Sequence, residues 1–150
     1  SNITIDRLYT GFMSLVKESQ IRDAGGAIVE AFTQTPASEA APGETIEYRL
    51  TYENISSPLG ASTDSVTLDA TNFTILEDGN AGTNNWAQFT THVAGSATSS
   101  AGAIGYAETS ADPTAAAEPV APANVEKYDN VVPSVAPGVT GTFEFDRTVD

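Results

Sequence analysis

Apolar and polar residues alternate along several short stretches of the chain, and a period of two is typical of β-strands with one buried face. The clearest case is Thr45–Tyr52, in which Ile46, Tyr48, Leu50 and Tyr52 fall on one face. Charged and hydroxyl side chains fall on the other. Helical periodicity is hard to find, so the pattern predicts an all-β fold.

The same turn sequence, Ala-Pro-Gly, precedes two predicted strands. Ala41–Gly43 comes before the first strand, and Ala136–Gly138 comes before Thr142–Val149, in which Phe143 and Phe145 share a face. Proline fixes φ and glycine tolerates positive φ, which suits a tight turn. We therefore expect two equivalent turn-and-strand units.

Other short apolar segments are bounded by clusters of Gly, Asn, Asp, Ser or Pro, and this spacing favours a sandwich or barrel. The further predicted strands are Ile3–Tyr9, Phe12–Ile21, Ile28–Phe32, Ser65–Asp69, Asn72–Glu77 and Trp86–Thr90. Within the second of them, Phe12–Val16 is apolar on both pleat faces, which predicts a strand that is central or covered by a neighbour.

Ala94–Asn124 differs in composition, being dominated by Ala, Gly, Ser, Thr and Pro. Pro113, Pro119 and Pro122 prevent a continuous central strand there. We expect long extended loops, interrupted by one short strand at Ile104–Ala107. The length of 150 residues indicates one domain spanning residues 1–150.

Composition narrows the class of protein. The net charge of -14 disfavours nucleic acid and anionic lipid as partners. No apolar run approaches the ~20 residues needed to cross a bilayer, so membrane insertion is not expected. Scarce lysine beside abundant Thr, Ser, Asn, Gly and Ala favours an extracellular, cell-surface location. No signal segment precedes Ser1, so Ser1 of an exported protein would lie at or after a processing point.

Catalytic chemistry is hard to assemble from this sequence. Cysteine is absent and His92 is the only histidine, so thiolate catalysis is excluded and a hydrolytic triad has one candidate base without a motif around it. Trp86 is the only tryptophan and is expected to fill the core, which disfavours an aromatic-lined glycosidase cleft. We predict a protein that is not an enzyme and has no catalytic residues.

Calcium is the one cofactor that the sequence suggests. In the segment Glu77–Asn85, the residues Asp78, Asn80 and Asn84 place oxygen ligands at alternate positions. The match to a calcium loop is poor, because Thr83 stands where an EF-hand has glycine. A hairpin or wide turn is the favoured interpretation, and calcium at these three residues is the alternative.

The chain resembles a known family in several patches. The Pro-Gly turn followed by Ile46, Tyr48, Leu50, Tyr52 and Asn54 resembles the conserved-repeat domain of bacterial surface proteins, a family of unknown function with an immunoglobulin-like sandwich. The patches Arg7–Arg22, Ile75–Trp86 and Val135–Val149 resemble a domain of large secreted cyanobacterial proteins that carry such repeats. At Ser56–Gly60 the chain departs from the family's Thr-Gly turn. The resemblance implies an immunoglobulin-like antiparallel β-sandwich and no catalytic residues.

Both terminal strand candidates, Asn2–Tyr9 and Thr142–Val149, are placed to pair with a partner. The first could be a strand of its own sandwich or could be donated to the next copy, and a head-to-tail contact that does not close propagates as a fibre. We favour donation. The residues predicted to mediate assembly are Asn2, Ile3, Ile5, Arg7 and Tyr9.

The predicted function is therefore a structural subunit of an extracellular filament or surface layer, a homopolymer built by β-strand addition. Stacked copies that each carry a charge of -14 need salt or bridging cations, so calcium removal is expected to loosen the assembly. The alternatives are a binding or spacer module of a cell-surface adhesin, with surface polysaccharide as its partner, and, least favoured, a carbohydrate-active enzyme.

Overall fold

The computed structural model describes residues 12–56, 67–82, 84–108, 113, 117–119 and 125–150. The elements in chain order are β1 (Met13–Arg22), β2 (Ile28–Thr33), β3 (Thr45–Asn54), β4 (Ala70–Asp78), α1 (Trp86–Phe89), β5 (Thr90–His92), β6 (Thr98–Ser99), β7 (Ala103–Ala107), β8 (Lys127–Val135) and β9 (Thr140–Val149). Two antiparallel sheets form a sandwich, which confirms the all-β prediction. The immunoglobulin-like topology stays a prediction.

The two sheets differ in width. The large sheet has the order β2-β1-β3-β9-β5, and β6 pairs with β9 further along the same side. The small sheet has the order β4-β8-β7. The core lies between them, and its buried members include Leu50 on β3, Ile75 on β4, Val132 on β8 and Phe143 on β9. Burial of these side chains is the main stabilising term of the fold.

The two predicted turn-and-strand units are present and reciprocal. Gly43 and Gly138 have φ angles of +86° and +76°, as the third residue of a Pro-Gly turn requires. The amide of Gly43 donates to the carbonyl of Val149, the last residue of β9, at 2.8 Å. The amide of Gly138 donates to the carbonyl of Asn54, the last residue of β3, at 2.7 Å. Each turn therefore starts one central strand and caps the end of the other.

Each strand of the small sheet lies over a particular strand of the large sheet. Three ring contacts between facing strands show this: Phe73 of β4 with Tyr52 of β3 at 5.3 Å, Tyr128 of β8 with Phe145 of β9 at 4.3 Å, and Tyr106 of β7 with His92 of β5 at 6.0 Å. The small sheet thus covers β3, β9 and β5, while β1 and β2 lie beyond its edge.

Most predicted strands are confirmed to within two residues at each end. They are Phe12–Ile21 (β1), Ile28–Phe32 (β2), Thr45–Tyr52 (β3), Asn72–Glu77 (β4), Ile104–Ala107 (β7) and Thr142–Val149 (β9). The predicted strand Ile3–Tyr9 lies outside the described residues, as does most of the predicted loop after residue 108.

Two strand predictions fail. Trp86–Thr90 begins with the helical turn α1, and Trp86 is buried in the core. The indole ring packs against Gly79, where a Cβ would lie only 2.4 Å from it. The described end of Ser65–Asp69, residues 67–69, has no strand. Its backbone is held instead by a side chain, because Asn54 Nδ2 donates to the carbonyl of Leu68 at 2.7 Å.

Candidate functional site

In the part of the chain that the structure describes, one side of the space between the sheets is open. Leu15 is directly opposite Tyr52 in the β1/β3 ladder, so both side chains point to the inner face of the large sheet. Tyr52 lies under β4 and is 1 % exposed, whereas Leu15 is 51 % exposed. The difference arises because the small sheet, as far as its described strands go, ends at β4 and places no strand over β1.

The open side is the space between two boundaries. Its floor is formed by Met13, Leu15 and Lys17 of β1, and its wall is formed by Phe73, Ile75 and Glu77 of β4. The Lys17 ammonium joins the two boundaries, because it pairs with the Glu77 carboxylate and lies 5.1 Å from the centre of the Tyr48 ring. Further along β1, Ile21 is 4 % exposed, so the opening is limited to the first part of the strand.

The wall is also the longest free edge of the described structure, with one irregularity at Asn72, whose φ of +52° lies in the left-handed region. Eight residues of β4 pair with β8 without a register shift, and β8 is its only partner among the strands that the structure describes. β4 contains no proline, lysine or glycine, and Thr71, Asn72, Thr74 and Leu76 are exposed. An edge of this kind presents unpaired backbone groups to a further strand.

The other described edges are shorter or irregular. Residues 13–18 of β1 have no described partner on the side away from β3, because β2 pairs with β1 only from Ser19 onward. β2 has two register shifts against β1, after Ser19 and after Ile21, and such bulges disturb the backbone pattern that a new strand would follow. The opposite edge of the large sheet is divided between β5 and β6, with three and two residues. β7 has only five residues. β4, with nine residues, is therefore the longest free edge among the described strands.

The residues predicted to mediate assembly fall into two groups. Asn2, Ile3, Ile5, Arg7 and Tyr9 lie outside the described residues, so their role stays a prediction. The other predicted assembly strand, Thr142–Val149, is not available, because β9 pairs with β3 on one side and with β5 and β6 on the other. Its sequence alternation shows one buried face but carries no information on whether it lies at an edge.

The residues predicted as calcium ligands form a hydrogen-bonded turn. Asp78 Oδ1 accepts from the amide of Asn80 at 2.8 Å, and Asp78 Oδ2 pairs with Lys127 Nζ at 3.0 Å. These two contacts hold the pKa of Asp78 below its usual value. The Asn80 and Asn84 amides donate to Glu126 and to the carbonyl of Asp78. Calcium there stays a prediction, and it would have to displace the lysine.

No described group of three or more His, Asp or Glu side chains is placed to hold a metal ion.

On the outer face of the large sheet, Phe32, Glu47, Glu144 and Asp146 line a shallow pocket. Burial, together with the neighbouring Glu47 and Glu144 carboxylates, raises the pKa of Asp146 to about 6. The cluster is offset by Arg22, whose Nε lies 2.6 Å from Glu47 Oε1.

The side of the interior away from β1 is closed by a buried polar network that the sequence did not indicate. Arg147 is fully buried, and all of its described hydrogen-bond partners are neutral. Its guanidinium donates to both the hydroxyl and the carbonyl of Thr90, at 2.7 and 2.9 Å, and to the carbonyl of Val125 and the hydroxyl of Tyr128, at 2.9 and 2.8 Å. It also lies 4.5 Å from the Trp86 ring.

The network fixes the tautomer of His92. A carboxylate can only accept, so His92 Nε2 carries the proton and donates to Glu118 Oε1 at 3.1 Å. Nδ1 of the neutral ring then accepts from the Tyr128 hydroxyl at 2.8 Å, and the Tyr128 oxygen accepts in turn from Arg147. Burial lowers the pKa of His92, although Glu118 opposes the shift. Each ring nitrogen forms a hydrogen bond within the fold, which supports a structural role for this histidine.

Comparisons with known proteins do not place the chain in a family. No protein-family model, no curated protein and no solved structure matches the chain. The resemblance to the conserved-repeat domain therefore stays a prediction. Among the described residues, no helix is long and apolar enough to span a membrane.

Proposed function

We propose that this protein is a structural subunit of an extracellular filament or surface layer, in which copies assemble by β-strand addition. The observation that carries the proposal is the open side. There a free nine-residue edge, β4, lies beside an exposed apolar side chain, Leu15, on the inner face of β1. One added strand would extend the small sheet and cover Leu15 at the same time.

Strand addition combines two sources of affinity at this place. Backbone hydrogen bonds to the β4 edge hold the added strand, and alternate side chains pack into the space over β1 and set the register. The segment Asn2–Tyr9 has the required pattern, since Ile3 and Ile5 alternate with the polar residues Thr4 and Asp6. The assembly is therefore proposed to use Asn2, Ile3, Ile5, Arg7 and Tyr9 as the donated strand. A donated strand that fills the open side of the next copy produces a contact that repeats without closing.

Electron microscopy of the purified chain at increasing concentration tests the proposal. The full chain is expected to form fibres or sheets with a regular repeat. A variant lacking residues 1–10 is expected to remain monomeric, because it retains the acceptor side and lacks the donor. Absence of any polymer from the full chain, or equal polymerisation of the shortened chain, would refute strand donation.

A peptide of residues 2–9 provides a matched control. The shortened chain is expected to bind this peptide and to ignore a peptide of the same composition with the order scrambled, because only the native order keeps both isoleucines on one face. Isothermal titration calorimetry measures both. Equal binding of the two peptides would contradict a register set by alternate side chains.

A further inference from the structure

The direction in which the donated strand runs can be inferred from the order of side chains along the open side. Phe73, Ile75 and Glu77 of β4 alternate with exposed residues and mark the inner face of the small sheet. In the donor segment, the residues at the same spacing are Ile3, Ile5 and Arg7. Both sequences place two apolar residues before one charged residue, and the two charges are opposite.

We propose that a second copy of this chain donates Asn2–Tyr9 parallel to β4, with Ile3, Ile5 and Arg7 opposite Phe73, Ile75 and Glu77. This inference rests on the proposed function and names the partner and register of the same site. Both isoleucines then extend the apolar surface over Leu15, and Arg7 joins Lys17 at the Glu77 carboxylate. The antiparallel register that keeps Ile3 and Ile5 opposite Ile75 and Phe73 places Arg7 opposite Thr71 and forms no ion pair.

The parallel direction requires a second copy. Met13 is opposite Asn54, whose side chain bonds Leu68 just before β4, while Lys17 pairs with Glu77 near the end of β4. β1 and β4 therefore run in the same direction. A segment that folded back from Phe12 onto its own β4 would run against both strands, so self-pairing would be antiparallel.

Chain length gives the same answer. With Arg7 beside Glu77, the five residues leading to Phe12 span at most about 18 Å when fully extended. Phe12 lies five residues before Lys17, about 17 Å back along β1, and the two sheets are about 10 Å apart, which together require about 20 Å. The chain would also need a reversal within those residues. One molecule cannot supply its own parallel strand.

Disulfide trapping distinguishes the two directions, because the chain has no cysteine of its own. In the parallel register Asp6 is opposite Leu76, whereas in the antiparallel register Asn2 is opposite Leu76. Asp6→Cys with Leu76→Cys is expected to give a ladder of covalent multimers on a non-reducing gel after oxidation. Asn2→Cys with Leu76→Cys, the matched control, is expected to remain mostly monomeric. Leu76 is 53 % exposed, so its replacement does not disturb the core.

The outcomes separate this inference from the proposed function. A ladder only with the Asn2→Cys pair, a fast-migrating internally bridged monomer, or fibres that neither pair crosslinks would overturn the parallel register while leaving assembly itself standing. A wild-type chain that forms no polymer would instead remove the proposed function.

A charge exchange provides a second measurement that needs no crosslink. Arg7→Glu is expected to raise the critical concentration for assembly at least about tenfold, because it places two carboxylates together. Adding Glu77→Arg to the same chain is expected to restore most of the loss. Ala24→Glu together with Ala31→Glu lowers the net charge equally, at two exposed positions before and on β2, and is the control. No rescue by the second change would also overturn the register.

Discussion

The two sides of the sandwich interior are completed in different ways. On the closed side, Arg147, Tyr128, His92 and Thr90 are buried and satisfy one another's hydrogen bonds. On the open side, the inner face of β1 continues beyond the small sheet and exposes Leu15. Buried polar groups therefore close one side of the interior. The other side has exposed apolar surface and a free strand edge with which a further strand can pair.

The difference also separates stability from assembly. Side chains of the closed side have their partners within the described structure, so changing them should affect the free energy of unfolding. Side chains of the open side have few partners in one copy, so changing them should affect association more than folding. The following predictions test this division, from the largest expected effect to the smallest.

Arg147→Ala is expected to lower the free energy of unfolding by about 3 to 5 kcal/mol. The change removes four hydrogen bonds and the contact with the Trp86 ring, and it strands the buried carbonyls of Thr90 and Val125. Urea denaturation measures the change. Arg22→Ala, which removes a partly exposed ion pair with Glu47, is the control and should change the value by less than about 1 kcal/mol. Similar losses in both variants would show that the network does not close the interior.

Tyr128→Phe is expected to destabilise the fold by about 1 to 3 kcal/mol. The ring keeps its stacking on Phe145, at 4.3 Å, while the hydroxyl that joins Arg147 to His92 is lost. His92 Nδ1 is then left without its donor. Tyr106→Phe, at a half-buried position on β7, is the matched control with an expected change near zero. A neutral Tyr128→Phe would contradict the hydrogen-bond chain from Arg147 to His92.

The pH dependence of stability contains two opposing contributions. His92 has a lowered pKa, so its contribution is fully present above the unfolded value of 6.5 and is lost as the pH falls. Asp146 has a pKa raised from 3.8 to about 6, so its contribution is present below 3.8 and is lost as the pH rises through about 6. Between pH 7 and pH 5 the two partly cancel.

Asp146→Asn should expose the histidine contribution. The variant is expected to lose stability more steeply than the wild type as the pH falls from 7 to 5, because the offset from Asp146 is gone. Adding His92→Asn should flatten the curve again. Urea denaturation at several pH values measures all three chains, and parallel curves for the wild type and Asp146→Asn would count against the raised pKa.

The sequence predicted the alternating strands well and the closed side poorly. β3 and β9 each have a Pro-Gly turn and a strict alternation, so local chemistry was sufficient to find them. β8 was missed, because Asn130 and Lys127 are buried polar residues on it and Pro133 interrupts its pattern. These residues are understandable only from their tertiary partners, such as Ser99 Oγ, which donates to Asn130 Oδ1 at 3.0 Å.

The open side could be predicted only in part. The apolar run Phe12–Val16 predicted a strand that is central or covered by a neighbour, and β1 does lie between β2 and β3 in the sheet. β2 pairs with β1 only from Ser19 onward, and the inner face of the first part of β1 has no described cover, so Leu15 is half exposed. Cover depends on which strand of the other sheet lies above, and this is set by topology rather than by any local pattern.

Leu15→Ala is expected to change the free energy of unfolding by only about 0.5 kcal/mol, because the side chain is already half exposed in one copy. Leu50→Ala is the matched control on the neighbouring strand, where the side chain is 1 % exposed, and its expected loss is about 2 to 5 kcal/mol. For assembly we expect the opposite order. Under conditions where the Leu50→Ala chain is folded, its critical concentration should change less than that of Leu15→Ala. The critical concentration should rise for Leu15→Ala, because the added strand would lose the apolar surface that it covers. A Leu15→Ala chain that assembles as readily as the wild type would mean that the exposed leucine is not where the next strand lies.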